Sequence, residues 1–138
     1  AGPYYHHWGN QCRTLDGAGD ARWDLRIPED GTYTLEAWWA AAPAQAQWTK
    51  KAVYEVVANG AVIASGTLDQ TQAGDQWRAV ATVELRAADQ PFLRVRNEGA
   101  GTLVADAVLV RSAARLNDGT PAPSVTLEPM DGILLRRR

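Results

Sequence analysis

Apolar and polar residues alternate with period two over most of this chain. In TYTLEAWW (32–39) Tyr33, Leu35, Ala37 and Trp39 fall on one face and Thr34, Glu36 and Trp38 on the other, the pattern of a half-buried strand. RWDLRI (22–27) leads into it through the turn signal Pro28-Glu29-Asp30-Gly31. KAVYEVVA (51–58) meets Asn59-Gly60, a strong hairpin signal, and returns through AVIASGTL (61–68). Further strands are predicted at WRAVATVELR (77–86), PFLRVRN (91–97) and, past the tight turn Glu98-Gly99-Ala100-Gly101, TLVADAVLVR (102–111). These short strands with regular turns, and no helix of ten residues or more, predict an all-β antiparallel sandwich.

Two stretches break the pattern. AAAPAQAQWTK (40–50) is a long connection of small and polar residues, and Pro43 argues against a long helix there. After residue 111, SAARLNDGTPAP reads as a linker. SVTLEP and GILLRR then resemble two more strands around Met130-Asp131-Gly132, pairing with each other or adding an edge to the main sheet. The organisation expected is an N-terminal arm or edge segment (1–19), a sandwich (20–111), and a linker with terminal strands (112–138).

A chain of 138 residues suits one domain with one core. The net charge of −2 gives no electrostatic footprint for nucleic acid, and the one basic run, Arg136-Arg137-Arg138, reads as a solvated tail. No apolar stretch approaches the roughly 20 residues that span a bilayer. A single cysteine, Cys12, excludes an internal disulfide. The chain starts at Ala1 without a methionine or a signal peptide, as expected of a processed product or a piece of a longer polypeptide.

GTYTLEAWW, the Tyr54-containing KAVYEVV, LDQ at 68–70, Trp77 and VADAVLV at 104–110, taken in order, resemble the golvesin C-terminal-like domain that also occurs in xanthan lyases. The resemblance covers roughly residues 20–111. It implies a jelly-roll-like, galactose-binding-like β-sandwich, carbohydrate-binding-like in description, carried on secreted or cell-surface bacterial enzymes. It makes Tyr33, Trp39, Tyr54, Trp77 and Asp106 structural positions. Ala40 stands where the family usually has proline, and the connection from Trp39 to Tyr54 is longer and contains Trp48, so its loop chemistry does not transfer. The tail SVTLEPMDGILLRR resembles the terminal strands of the small β-domain that closes many glycoside hydrolases.

The chemistry on offer is aromatic. Six tryptophans stand in the chain. Alternation turns Trp23, Trp39 and Trp77 inward, whereas Trp8, Trp38 and Trp48 lie in a loop, on the opposite strand face and in the long connection. Flat aromatics kept from a core suit a sugar ring, which lays its C–H face on an indole. Trp48, flanked by Gln47 and Lys50, is either such a platform or a cap folded onto one end of the sandwich. Trp38 is expected to be covered by the N-terminal segment or the tail. Tyr4, Tyr5 and Trp8 form either a groove wall or an ordered arm; His6 and His7 beside them point apart and cannot easily chelate one metal. Asp69, Gln70 and Arg78 would orient hydroxyls. Asp16 and Asp20 could offer oxygens to a structural calcium, but the segment lacks an EF-hand pattern and a flexible turn is favoured. No spacing demands the paired carboxylates that glycoside hydrolysis holds roughly 5–9.5 Å apart, and there is no GxSxG, Walker-type loop or HExxH. No catalytic residue, cofactor or metal is expected. The function expected is a noncatalytic glycan-binding accessory module, with a polysaccharide and a covalently linked catalytic domain as partners. The alternative is a structural module that packs on a catalytic domain and binds no glycan.

Overall fold

A computed structural model describes residues 13–112, 125–128 and 133–137. The strands are β1 (Arg13–Asp16), β2 (Gly19–Asp24), β3 (Gly31–Trp38), β4 (Ala52–Ala58), β5 (Ala61–Leu68), β6 (Arg78–Leu85), β7 (Phe92–Asn97), β8 (Thr102–Ala105), β9 (Ala107–Ser112), β10 (Val125–Glu128) and β11 (Ile133–Arg137). A five-stranded sheet, ordered β11-β2-β7-β4-β5, faces a four-stranded one, β10-β9-β3-β6, and β1 pairs with β8 as a separate ribbon. Every strand pair is antiparallel, and the sheets form a β-sandwich that does not close into a barrel.

The period-two pattern is what builds the interior. Register sets Trp23, Leu93 and Val56 side by side on the inner face of the five-stranded sheet, with Ala21, Val95 and Tyr54 in the next row. Val110 and Leu35 answer them from the other sheet. All eight are buried, so rows of same-face neighbours pack across the two layers.

The two predicted tail strands do not pair with each other. β10 extends the four-stranded sheet along β9, and β11 extends the five-stranded sheet along β2. β1, absent from the sequence reading, is short and polar enough to carry no alternation. The run predicted at 102–111 is split at the buried Asp106 into β8, which pairs with β1, and β9, which pairs with β3. At one side of the sandwich the edges approach closely: a Cβ on Gly66 of β5 would overlap the Val80 carbonyl of β6, so glycine is what lets the two layers meet there.

The outer face of the five-stranded sheet carries paired charge. Arg96 donates to Glu55 Oε1 at 2.7 Å and Arg94 at 3.1 Å, and Arg96 also pairs with Glu98. Burial pushes the Glu55 carboxyl up, but the hydrogen bonds and charges of the two arginines outweigh it and hold the group below its ordinary value.

Because the strands run antiparallel, successive loops alternate between the ends of the sandwich. The connections after β3, β5 and β7 gather at one end, and those after β2, β4 and β6 at the other.

Candidate functional site

The long connection from Trp39 to Lys51 has no strand or helix of its own, yet many of its backbone groups are paired. Trp48 forms an isolated parallel bridge with Thr102: Thr102 N donates to Gln47 O at 2.7 Å and Thr49 N to Thr102 O at 2.8 Å. The loop after β5 clamps it from the other side, through Gln70 N to Thr49 O at 2.9 Å, Asp75 N to Trp39 O at 2.8 Å and Ala41 N to Asp75 Oδ1 at 3.0 Å. Gly101, at φ +93, sits where a Cβ would stand 2.6 Å from the Gln47 carbonyl, so both its backbone angle and its close approach require glycine. Three loops are thereby locked into one rigid end.

Gln70 is the hub of that end. It was expected among the groups that orient sugar hydroxyls; the structure corrects this, since it is 0% exposed and its amide is fully engaged. Its Nε2 donates to Val104 O at 2.8 Å and to Tyr54 Oη at 3.2 Å, and its Oε1 accepts from Val104 N at 2.8 Å. Its carbonyl takes the Trp39 indole N–H at 3.0 Å. A side-chain amide has here replaced a strand neighbour, satisfying both backbone groups of Val104.

Tyr54, beside it, titrates abnormally. Burial raises its phenol above the ordinary 10.0 and Asp106 raises it further, against the Gln70 hydrogen bond that lowers it. A raised folded value means that the stabilisation is complete below about pH 10 and falls as pH rises beyond it, when the unfolded phenol ionises first. Urea titrations at increasing alkaline pH are expected to show this decline, with a shallower slope in Tyr54→Phe. Tyr33, whose phenol burial also raises, acts in the same direction.

Trp48 is not the exposed platform. It is 5% exposed, belongs to the core, and spends its indole N–H on Ala40 O at 2.8 Å. Its remaining edge nonetheless lines a cleft of about 580 Å³, together with Gln47, Lys50, Thr71 and the small residues Ala42 and Ala46. The cleft thus brings together three of the expected binding residues, Gln47, Trp48 and Lys50. Gln47 and Lys50 are exposed, and their side chains make no hydrogen bond or ion pair among the described residues. Thr71 was missed; nothing in its sequence marks it, because only the fold of the 69–73 turn brings it against the connection.

Asp69 and Arg78 line a neighbouring cleft of about 210 Å³, with Trp39 and Gln72. The Asp69 carboxyl lies below its ordinary value because it accepts the Thr71 hydroxyl at 2.5 Å and the Thr71 N–H at 2.9 Å, with the Lys50 charge nearby. Asp69 is therefore an anion beside Lys50, between the two clefts.

Trp38 lies elsewhere, on the outer face of the four-stranded sheet opposite Ala107, and is 9% exposed, so it too offers no open platform. Trp23 and Trp39 are buried inward, and Trp77 is partly buried. Tyr4, Tyr5 and Trp8 lie outside the described residues. Asp16 accepts the Thr102 hydroxyl at 2.5 Å and Asp20 is buried, and among the described residues no three metal-ligating side chains gather. Among the same residues no helix is long and apolar enough to cross a membrane.

An antiparallel sandwich of this kind hosts many unrelated functions, so its role is read from the site and from kinship rather than from the fold. Residues 4–112 match the golvesin C-terminal domain, and the chain belongs to that family. The family is one of noncatalytic modules. The match begins ahead of residue 20 and takes in Tyr4, Tyr5 and Trp8. No curated protein and no solved structure matches the chain.

Proposed function

We propose that this module binds a glycan in the cleft edged by Trp48, and that it serves as an accessory domain of a secreted bacterial polysaccharide-degrading enzyme. The observation that carries the reading is the convergence of Gln47, Trp48 and Lys50 on one cleft with an apolar floor and a polar rim. Trp48, Ala42 and Ala46 would receive the C–H face of a sugar, while Gln47, Lys50 and Thr71 would address its hydroxyls. With only an indole edge available, affinity is expected to be weak, about millimolar. Calorimetric titration with soluble polysaccharides tests this. The double substitution Gln47→Ala/Lys50→Ala is expected to weaken binding about tenfold, the worth of two modest hydrogen bonds, with unchanged melting temperature. Equal binding by wild type and variant would remove the site from this cleft.

One observation favours the interdomain reading. Val62 and Ile63 of the edge strand β5 are 49% and 44% exposed, because a bulge opposite Val56/Val57 leaves Ile63 without a register partner and turns both apolar side chains to the surface. If this edge normally packs on another domain, the isolated chain should self-associate in sedimentation experiments, and Val62→Lys should abolish it. A monomer at all concentrations would count against that role.

A further inference from the structure

The opposite end of the sandwich carries a second cleft, of about 700 Å³, to which no sequence feature drew attention. It lies where the loops after β2, β4 and β6 meet. Its polar lining is confined to planar groups: Arg22, Asp24, Arg26, Asn59, Asp89 and Gln90, without a lysine, serine or threonine. Two guanidinium groups and two carboxylates leave it electrically balanced.

Part of this set is held in place and the rest is unspent. The Arg22 guanidinium lies 3.7 Å over the Phe92 ring and its Nε donates to Asp24 Oδ1 at 2.7 Å, which fixes its plane and leaves both Nη groups without a hydrogen bond among the described residues. Asn59 and Gln90 sit at left-handed turns, with φ of 52 and 47, so each amide is carried on a tight loop tip. Their side chains, Arg26 and the Asp89 carboxylate make no hydrogen bond among the described residues. Planar groups of this kind present paired donors or paired acceptors. Such pairs match two hydroxyls on adjacent carbons, and a ligand that is neutral and rich in hydroxyls needs both kinds at once. Charge balance avoids the cost of burying an unpaired ion, and the held Arg22–Asp24 pair avoids part of the cost of ordering flexible side chains.

We infer that this cleft is a second saccharide site, which binds a neutral, hydroxyl-rich chain through hydrogen bonds rather than by stacking, since Arg22 covers the Phe92 face. It goes beyond the glycan reading of the Trp48 cleft and is independent of it. The module would then hold a polysaccharide at both ends of its sandwich, by two different chemistries.

The side-chain amide resonances of the isotope-labelled chain test it. Asn59 and Gln90 report this cleft, and Gln47 reports the other. Titration with cellohexaose, xylohexaose, mannohexaose and a hexauronate should move the Asn59 and Gln90 signals saturably with a neutral member. The Asn59→Gly/Gln90→Gly variant, which deletes both amides at positions where glycine keeps the backbone relaxed, should lower affinity at this end about tenfold, read from the backbone amide signals of the lining residues Gly60 and Ala87. Its Gln47 response should stay intact. If Gln47 responds and Asn59 and Gln90 do not, the second site is refuted and the first stands. If only Asn59 and Gln90 respond, the Trp48 cleft fails and the inference stands. Silence at all three sinks both. A response to the hexauronate alone, lost in high salt, would make the cleft a charge recogniser and overturn the hydroxyl-matching mode.

Discussion

Replacing Gln70 with leucine is expected to destabilise the domain by about 3–5 kcal/mol, the cost of leaving several buried polar groups unpaired. Leucine is similar in volume but bonds neither the Val104 N–H nor its C=O, and leaves the Tyr54 hydroxyl without its amide donor. The position is 0% exposed, so bulk water does not reach the groups left behind. A loss of that size is a large part of a typical domain's whole stability. Urea denaturation followed by intrinsic fluorescence checks it. A loss below about 1 kcal/mol would show that the amide's bonds are replaced by relaxation, and Gln70 would no longer be the brace of the loop end.

Trp48→Ala is expected to cost about 3–5 kcal/mol by the same assay, as large-to-small changes at buried aromatics do. The lost indole leaves a cavity between the 40–51 connection and Thr102, and the Ala40 carbonyl loses its 2.8 Å partner. Trp48→Phe keeps most of the volume and should fall between the two. Loss of glycan binding in Trp48→Ala therefore reports unfolding as much as recognition, which is why the exposed Gln47 and Lys50 are the sharper probes of the cleft. Should Trp48→Ala instead keep full stability while binding is lost, the indole would be the recognition surface and its packing incidental.

Strands whose inner faces repeat every second residue were legible in the chain. Tyr33, Leu35 and Ala37 point inward as alternation demands, and Asn59-Gly60 turns the β4–β5 hairpin with both residues at positive φ. Alternation also placed Trp38 outward, correctly, but periodicity cannot say whether an outward residue is covered. Gln70 and Trp48 were the harder cases. Both sit in connections, where no period assigns a face, and their burial follows from how three loops far apart in sequence interlock. A glutamine reads as a surface residue unless the backbone groups it serves are known. For the candidate site, the trio Gln47, Trp48 and Lys50 was legible through its aromatic and its neighbours. The second cleft was not, because its six polar groups come from the end of β2 and from loops that meet only once the sheets are formed.

The strand order has a consequence for how the molecule reaches this state. Of the pairings that make the two main sheets, β4 with β5 is the one closed by a two-residue turn; β3 with β9, β2 with β7 and β4 with β7 join segments far apart along the chain. Each of these must pay the entropy of closing a long loop before any contact rewards it, and such high contact order places folding in the millisecond-to-second range. The β4–β5 hairpin closes without a long loop, and until the distant strands arrive its inner face, with Tyr54 and Val56, stands open to other chains. Refolding yield should therefore fall with protein concentration, the wait for distant strands setting how long that face is at risk.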